Sequence, residues 1–224
     1  MSPILLRVMQ MVFAILIQAG LLFGTAGSLR WQAGWWYVGL YLLMLGVATF
    51  ILLPNRKAVV EERSKGAKGG KRWDYWLTRA MMISSFGVLV VAGLDQRLGW
   101  TSPLPGWLRT LGGCLFLAGY AFVVWAMYTN EFFSQTVRIQ TERGHVAVTD
   151  GPYRIVRHPG YLGMSTSMLG SVFLLDALYG LACLAPYLVL IVIRTALEDR
   201  TLQAELPGYA EYAAHTKFRL IPGM

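Results

Sequence analysis

"DGPYRIVRHPGYLG", residues 150–163, is the stretch on which the reading of this chain turns. Arg154, Arg157 and His158 stand directly ahead of Pro159 and Gly160, and a long apolar stretch begins at once at Tyr161. Proline suits the first turn of a helix, where its missing amide hydrogen costs nothing. Gly160 and Gly163 leave room for another backbone or a flat ligand to approach. A helix is therefore predicted to start at Pro159 and run into an apolar medium. Its free amides and positive partial charge would then share one end with Arg157 and His158, describing a pocket for an anionic group at a membrane surface.

The surroundings of this stretch identify the medium. The 224 residues are 55% hydrophobic and only 14% charged, against about 25% charge in an ordinary soluble domain. Apolar runs at 4–23, 35–53, 76–94 and 107–127 are each long enough to cross a bilayer. Two shorter runs, 161–175 and 178–193, are separated only by Asp176 and Ala177 and predict a tight helical hairpin. Trp31, Trp35, Trp36, Trp73, Trp76, Trp100 and Trp107 fall at the ends of runs, where half-polar rings sit at the membrane interface. The expected fold is an all-α integral membrane protein, a multi-span bundle of about five to six membrane helices with a cytoplasmic cofactor pocket.

With a cytoplasmic amino terminus, all of the 20 lysines and arginines except Arg30, Arg97 and Arg109 fall on the inside. Both termini and the pocket are accordingly expected in the cytoplasm. Topology alone accounts for the net charge of +8, so no nucleic-acid partner is inferred. The first run is read as an uncleaved anchor rather than a signal peptide, since its removal would spoil the charge asymmetry. Cys114 and Cys183 lie within apolar runs, which argues against a disulfide framework or a metal cluster.

Two polar regions differ in kind. Residues 54–72 contain "EERSKGAKGGKR" and read as a mobile, topology-setting loop. Residues 128–159 mix aromatic, β-branched and polar residues with turn signals at Arg143-Gly144 and Asp150-Gly151-Pro152, and read as folded. After Arg194, leucines recur at helical spacing until Pro207-Gly208 stops the helix. Arg194 and Glu198 share a face of that last long helix. Glu198 should come near His158 if the hairpin legs are neighbours. A small zwitterion suits this geometry, with its carboxylate toward Arg157 and His158 and its ammonium toward Glu198.

The pattern His145-x-x-Val148, Gly151, Tyr153, Arg157-His158-Pro159-x-Tyr161-x-Gly163, Arg194-x-x-x-Glu198, Leu202, Gly208-Tyr209-x-x-Tyr212 and Ile221-Pro222 resembles the isoprenylcysteine carboxyl methyltransferase family. That family belongs to a wider group of integral-membrane methyltransferases that includes phospholipid N-methyltransferases. The resemblance covers residues 130–222, the expected methyltransferase core, with 1–129 as amino-terminal membrane helices. Asp199 departs from it, standing where many relatives have a second glutamate. The resemblance implies S-adenosylmethionine as methyl donor. Gln140 with His145, Val146, Ala147 and Val148 would hold the adenosine part, under Tyr153. Arg157, His158, Pro159, Gly160 and Tyr161 would receive the methionine part, Glu198 its ammonium, and Arg194 would face a lipophilic, membrane-partitioned acceptor such as an isoprenylcysteine-like carboxylate. The rival readings are an NADPH-dependent membrane reductase of the sterol reductase type and a non-catalytic membrane scaffold.

Overall fold

In the computed structural model, which describes residues 2–66 and 69–221, every regular element is helical. Eight α-helices follow in order: α1 (Pro3–Ala26), α2 (Gln32–Asn55), α3 (Lys57–Ser64), α4 (Arg72–Leu98), α5 (Gly106–Thr129), α6 (Pro159–Leu174), α7 (Leu181–Glu205) and α8 (Tyr209–His215). Five of them, α1, α2, α4, α5 and α7 with its leading turn, are long and apolar enough to cross a membrane. The protein is a multi-span helical membrane bundle. Local chemistry sets the ends. The Ser2 hydroxyl accepts from the Leu5 amide at the start of α1, and Gly27 and Gly99 close α1 and α4 in the left-handed conformation that glycine adopts without strain.

At 16 residues α6 is shorter than a spanning helix, and its packing explains how it is held. Its most extensive partner is α5, and that of α7 is α4, so each leg of the hairpin leans on an outer helix more than on the other leg. The α5–α6 seam is nearly backbone against backbone. A Cβ on Gly112 would lie 2.5 Å from the Leu174 amide nitrogen, one on Gly119 2.5 Å from the Gly163 carbonyl oxygen, and one on Gly170 2.4 Å from the Phe116 amide nitrogen. The Ser167 hydroxyl donates to the Phe116 carbonyl across the same seam. Close approach of this kind replaces the hydrophobic drive that lipid cannot supply. Gly112 and Gly119 of α5 thus serve internal packing.

The hairpin turn is fixed at the far end of the bundle. Asp176, in the left-handed region at φ 55°, accepts from the Leu104 amide and pairs with Arg109 at 3.3 Å. At the other end three tethers gather the helices: Gln10 of α1 to the Ser64 carbonyl, Arg56 to the Tyr128 carbonyl, and Lys71 to Glu205.

The segment expected to float as a loop is largely docked. Residues 57–64 form α3, where buried Glu62 pairs with Arg138 at 2.7 Å. The Lys71 amide donates to the Val137 carbonyl, while the Val137 amide donates to Asp74. Gly70 rests on Thr136, whose Cβ is 2.6 Å from where a glycine substituent would stand. Residues 67 and 68 lie outside the described residues. The 130–158 segment is folded, as its composition predicts, around short 3-10 turns at Thr141–Arg143 and Gly151–Arg154 with no strand among the described residues. It connects α5 to α6 at the end of the bundle where the tethers gather.

Candidate functional site

A cleft opens at that end between the start of α6, the second half of α7, α8 and the 130–153 segment. His145, Val146, Ala147, Val148, Tyr153, Arg157, His158, Pro159, Gly160, Tyr161, Arg194 and Glu198 all line it. Gln140 does not. It is fully buried behind the wall, donating to the Phe132 carbonyl and accepting from Arg143. Its amide donates to His145 Nδ1 at 3.2 Å, so Gln140 shapes the turn that presents His145.

The His145 ring stacks on Phe132 with centroids 4.5 Å apart, forming one flat, uncharged wall. Burial first, then the neighbouring Arg143 and Arg138, pushes its pKa down to about 4. Because the unfolded chain takes up this proton near pH 6.5 and the folded chain only near 4, stability present above about pH 6.5 is lost as pH falls between those values. His145→Gln should therefore show a shallower decline of melting temperature between pH 7 and 5 than the parent. Parallel declines would exclude this contribution.

At the mouth of α6 the positive groups converge on one acid. Asp199, fully buried, stands 3.2 Å from Arg157 Nε and 3.5 Å from His158 Nε2, and accepts from Tyr209, Gln203 and Arg219. Although both distances fall within ion-pair range, Arg157 Nε and His158 Nε2 are buried without a hydrogen bond of adequate geometry. Both atoms are turned toward Asp199, while the Arg157 and His158 residues also contribute to the cleft lining. The Arg157 and His158 amides are meanwhile taken by the Phe218 and Arg219 carbonyls, so the carboxy-terminal strap seals this wall from behind. Pro222, the last position of the family pattern, lies outside the described residues.

Glu198 and Arg194 do not form the helix-surface pair that their spacing allows. The Tyr161 hydroxyl donates a short hydrogen bond to Glu198. Its ring stacks on His158 at 5.7 Å and lies beneath the Arg194 guanidinium at 5.0 Å. Arg194 instead grips Asp74 of α4, with Nε at 2.7 Å and Nη2 at 3.2 Å from its two oxygens, and donates from Nη2 to the Gln135 carbonyl. Gly160 admits the Phe133 ring, 2.8 Å from where a Cβ would be, and Gly163 admits the α5 backbone. The room left by both glycines is filled by the protein itself.

Sequence reasoning passed over several residues that build the cleft. Phe132 and Phe133 lie within a segment recognised as folded but not as cleft wall. Tyr209 and Tyr212 line the cleft as well as packing the tail, with Tyr212 donating to the Tyr153 carbonyl. Asp199 and Asp74, both fully buried behind the cleft wall, pair with its Arg157 and Arg194. A usable signal existed for Asp199, since Arg157, His158 and Arg219 together need a buried counter-charge.

Residues 111–204 match the family model described as the isoprenylcysteine carboxyl methyltransferase (ICMT) family. The chain is also similar to the cobalt-zinc-cadmium resistance protein CzcN of Cupriavidus metallidurans, at 35% identity over 120 residues. That alignment covers 52% of this chain and 49% of CzcN, so the chain spans about half the length of this relative. The segment of best match contains α6, α7 and nearly all of the cleft, whereas Tyr209 and Tyr212 lie beyond it.

Proposed function

We propose, because residues 111–204 match the model of the isoprenylcysteine carboxyl methyltransferase family, that this protein transfers a methyl group from S-adenosylmethionine to a membrane-associated or lipophilic acceptor. The observation that carries this reading is the convergence, on one cleft, of Arg157 and His158 from the turn that enters α6 and the Glu198 carboxylate from α7. These groups fit the two charged ends of the donor's methionine portion.

When bound, the donor supplies a methyl on sulfonium sulfur, which an in-line nucleophile removes as the carbon–sulfur electron pair returns to sulfur. The chain's own task is then to align two reactants and exclude water. Arg157 and His158 receive the donor's carboxylate, and Glu198, held by Tyr161, receives its ammonium. The neutral His145–Phe132 stack offers a flat face to the adenine. Arg194, immobilised by Asp74, keeps Nη1 free of hydrogen bonds among the described residues and so available to orient the acceptor. An already ionised carboxylate acceptor of the isoprenylcysteine type would need no base; a thiol or amine would have to lose a proton. The cleft opens on the face read as cytoplasmic.

The relative's name concerns metal resistance. Among the described residues no three His, Cys, Asp or Glu side chains are grouped to hold a metal ion.

Labelled donor incubated with the purified protein and a membrane lipid extract should yield one labelled lipophilic product. Glu198→Ala and His158→Ala should each lower donor affinity at least tenfold, an energy of about 1.4 kcal/mol, as expected for removing one charged contact. Unchanged donor affinity in both variants would overturn the site assignment, and absence of any labelled product across acceptor extracts would count against the transfer itself.

A further inference from the structure

At the same end of the bundle, in amino-terminal helices outside the family match, two arginines stand together without an acid. Arg63, in the last turn of α3, lies over the Phe133 ring at 5.5 Å, on the far side of a residue that lines the cleft. Its side chain makes no hydrogen bond or ion pair among the described residues. The charged and phenolic groups that act on it are Arg7, Tyr120, Tyr41 and Arg194, and burial together with the like charge of Arg7 holds its pKa down to about 10. Arg7, near the start of α1, bonds among the described residues only to the neutral Gln10 at 3.3 Å, and Gln10 in turn ties α1 to α3 through the Ser64 carbonyl. The Tyr41 and Tyr120 rings meet edge to face at 5.5 Å.

Four helices, α1, α2, α3 and α5, thus contribute two guanidinium groups and two phenols that act on one another, with no carboxylate in pairing distance of either arginine among the described residues. Two half-buried cations placed side by side repel, and at the edge of a membrane bundle a ligand that brings negative charge relieves that repulsion. Guanidinium and phenol are both donors, and their natural complement is an oxyanion. The position, at the end of α1 and α2 shared with the cleft, is the level of lipid headgroups.

We propose that Arg7 and Arg63, with Tyr41 and Tyr120, form a second binding site, for the anionic head, phosphate or carboxylate, of a membrane amphiphile. The full chain in a neutral detergent would be melted with phosphatidylglycerol or with decanoate, each against its uncharged-overall counterpart, phosphatidylcholine or 1-decanol, and with inorganic phosphate. At least one anionic amphiphile should raise the melting temperature by several degrees more than its counterpart. Which of the two does so identifies a phosphate or a carboxylate head. That excess should fall to less than half in Arg63→Gln and in Arg7→Gln, and persist in Lys57→Gln, an exposed cation on the same helix as Arg63.

An excess undiminished in both arginine variants, or equally lost in Lys57→Gln, would overturn the site. The same arginine-dependent shift with inorganic phosphate would make the ligand a soluble anion and overturn the amphiphile. Stabilisation by S-adenosylhomocysteine, followed in parallel, verifies that each variant is folded. Its failure in the parent protein would tell against the transfer function and leave this site standing.

Discussion

Asp74→Ala should lower stability by about 3–5 kcal/mol, because it leaves the Arg194 guanidinium buried without its counter-charge. Arg194 is 6% exposed and Asp74 fully buried, so water cannot replace the lost partner. The same substitution strips the Val137 amide of its acceptor and frees the loop that forms one wall of the cleft. Thermal unfolding in a neutral detergent reads the loss directly. Removing both charges, as Asp74→Ala with Arg194→Met, should recover much of it, since a neutral pair has no charge to strand. An Asp74→Ala protein that melts with the parent would mean that the pair is not buried as described.

The α5–α6 seam carries an effect of similar size. Gly170→Leu should cost about 3 kcal/mol or more, since even its Cβ would stand 2.4 Å from the Phe116 amide nitrogen, and backbone on both sides cannot yield as a flexible side chain would. A neighbouring pair gives an internal control. Gly112 is blocked by the Leu174 amide nitrogen at 2.5 Å, while the nearest atom to a Cβ on Gly113 is 3.8 Å away. Gly112→Ala should therefore lower the melting temperature sharply, and Gly113→Ala should leave it unchanged. Equal sensitivity at the two positions would contradict the close seam.

The spanning helices were legible because apolar length is a local property: the four long runs each lie inside an observed helix that extends only a few residues further, whereas the run 161–175 ends just past α6 and the run 178–193 starts before α7, which continues to Glu205. The start of α6 was legible too, since Pro159 and the charges before it form a contiguous signal. What could not be read were partners distant in the chain. Helical periodicity places Arg194 and Glu198 on one face, but the ion pair that Arg194 makes is with Asp74, 120 residues away. Asp74 itself sits in a basic stretch that reads as solvated, and nothing local marks it as buried. The docking of residues 70–74 on Thr136 and Val137 was hidden for the same reason: it depends on two backbone segments meeting, and backbone carries no sequence signature.

The cleft was legible in part through the family pattern. His145, Tyr153, the residues at the start of α6 and Glu198 do face one cleft, whereas Gln140 was assigned a ligand and supports the wall instead. Asp199 was visible only as a departure from the pattern. Its burial amid Arg157, His158 and Arg219 makes it the charge that holds the cleft's cationic corner together.

The central claim, that this corner and Glu198 together receive S-adenosylmethionine, is tested most directly by calorimetric titration of the purified protein with S-adenosylhomocysteine and, separately, with NADPH. The account predicts saturable binding of S-adenosylhomocysteine that is lost in His158→Ala and Glu198→Ala, and no binding of NADPH. Binding of NADPH alone, or S-adenosylhomocysteine binding indifferent to both substitutions, would contradict it.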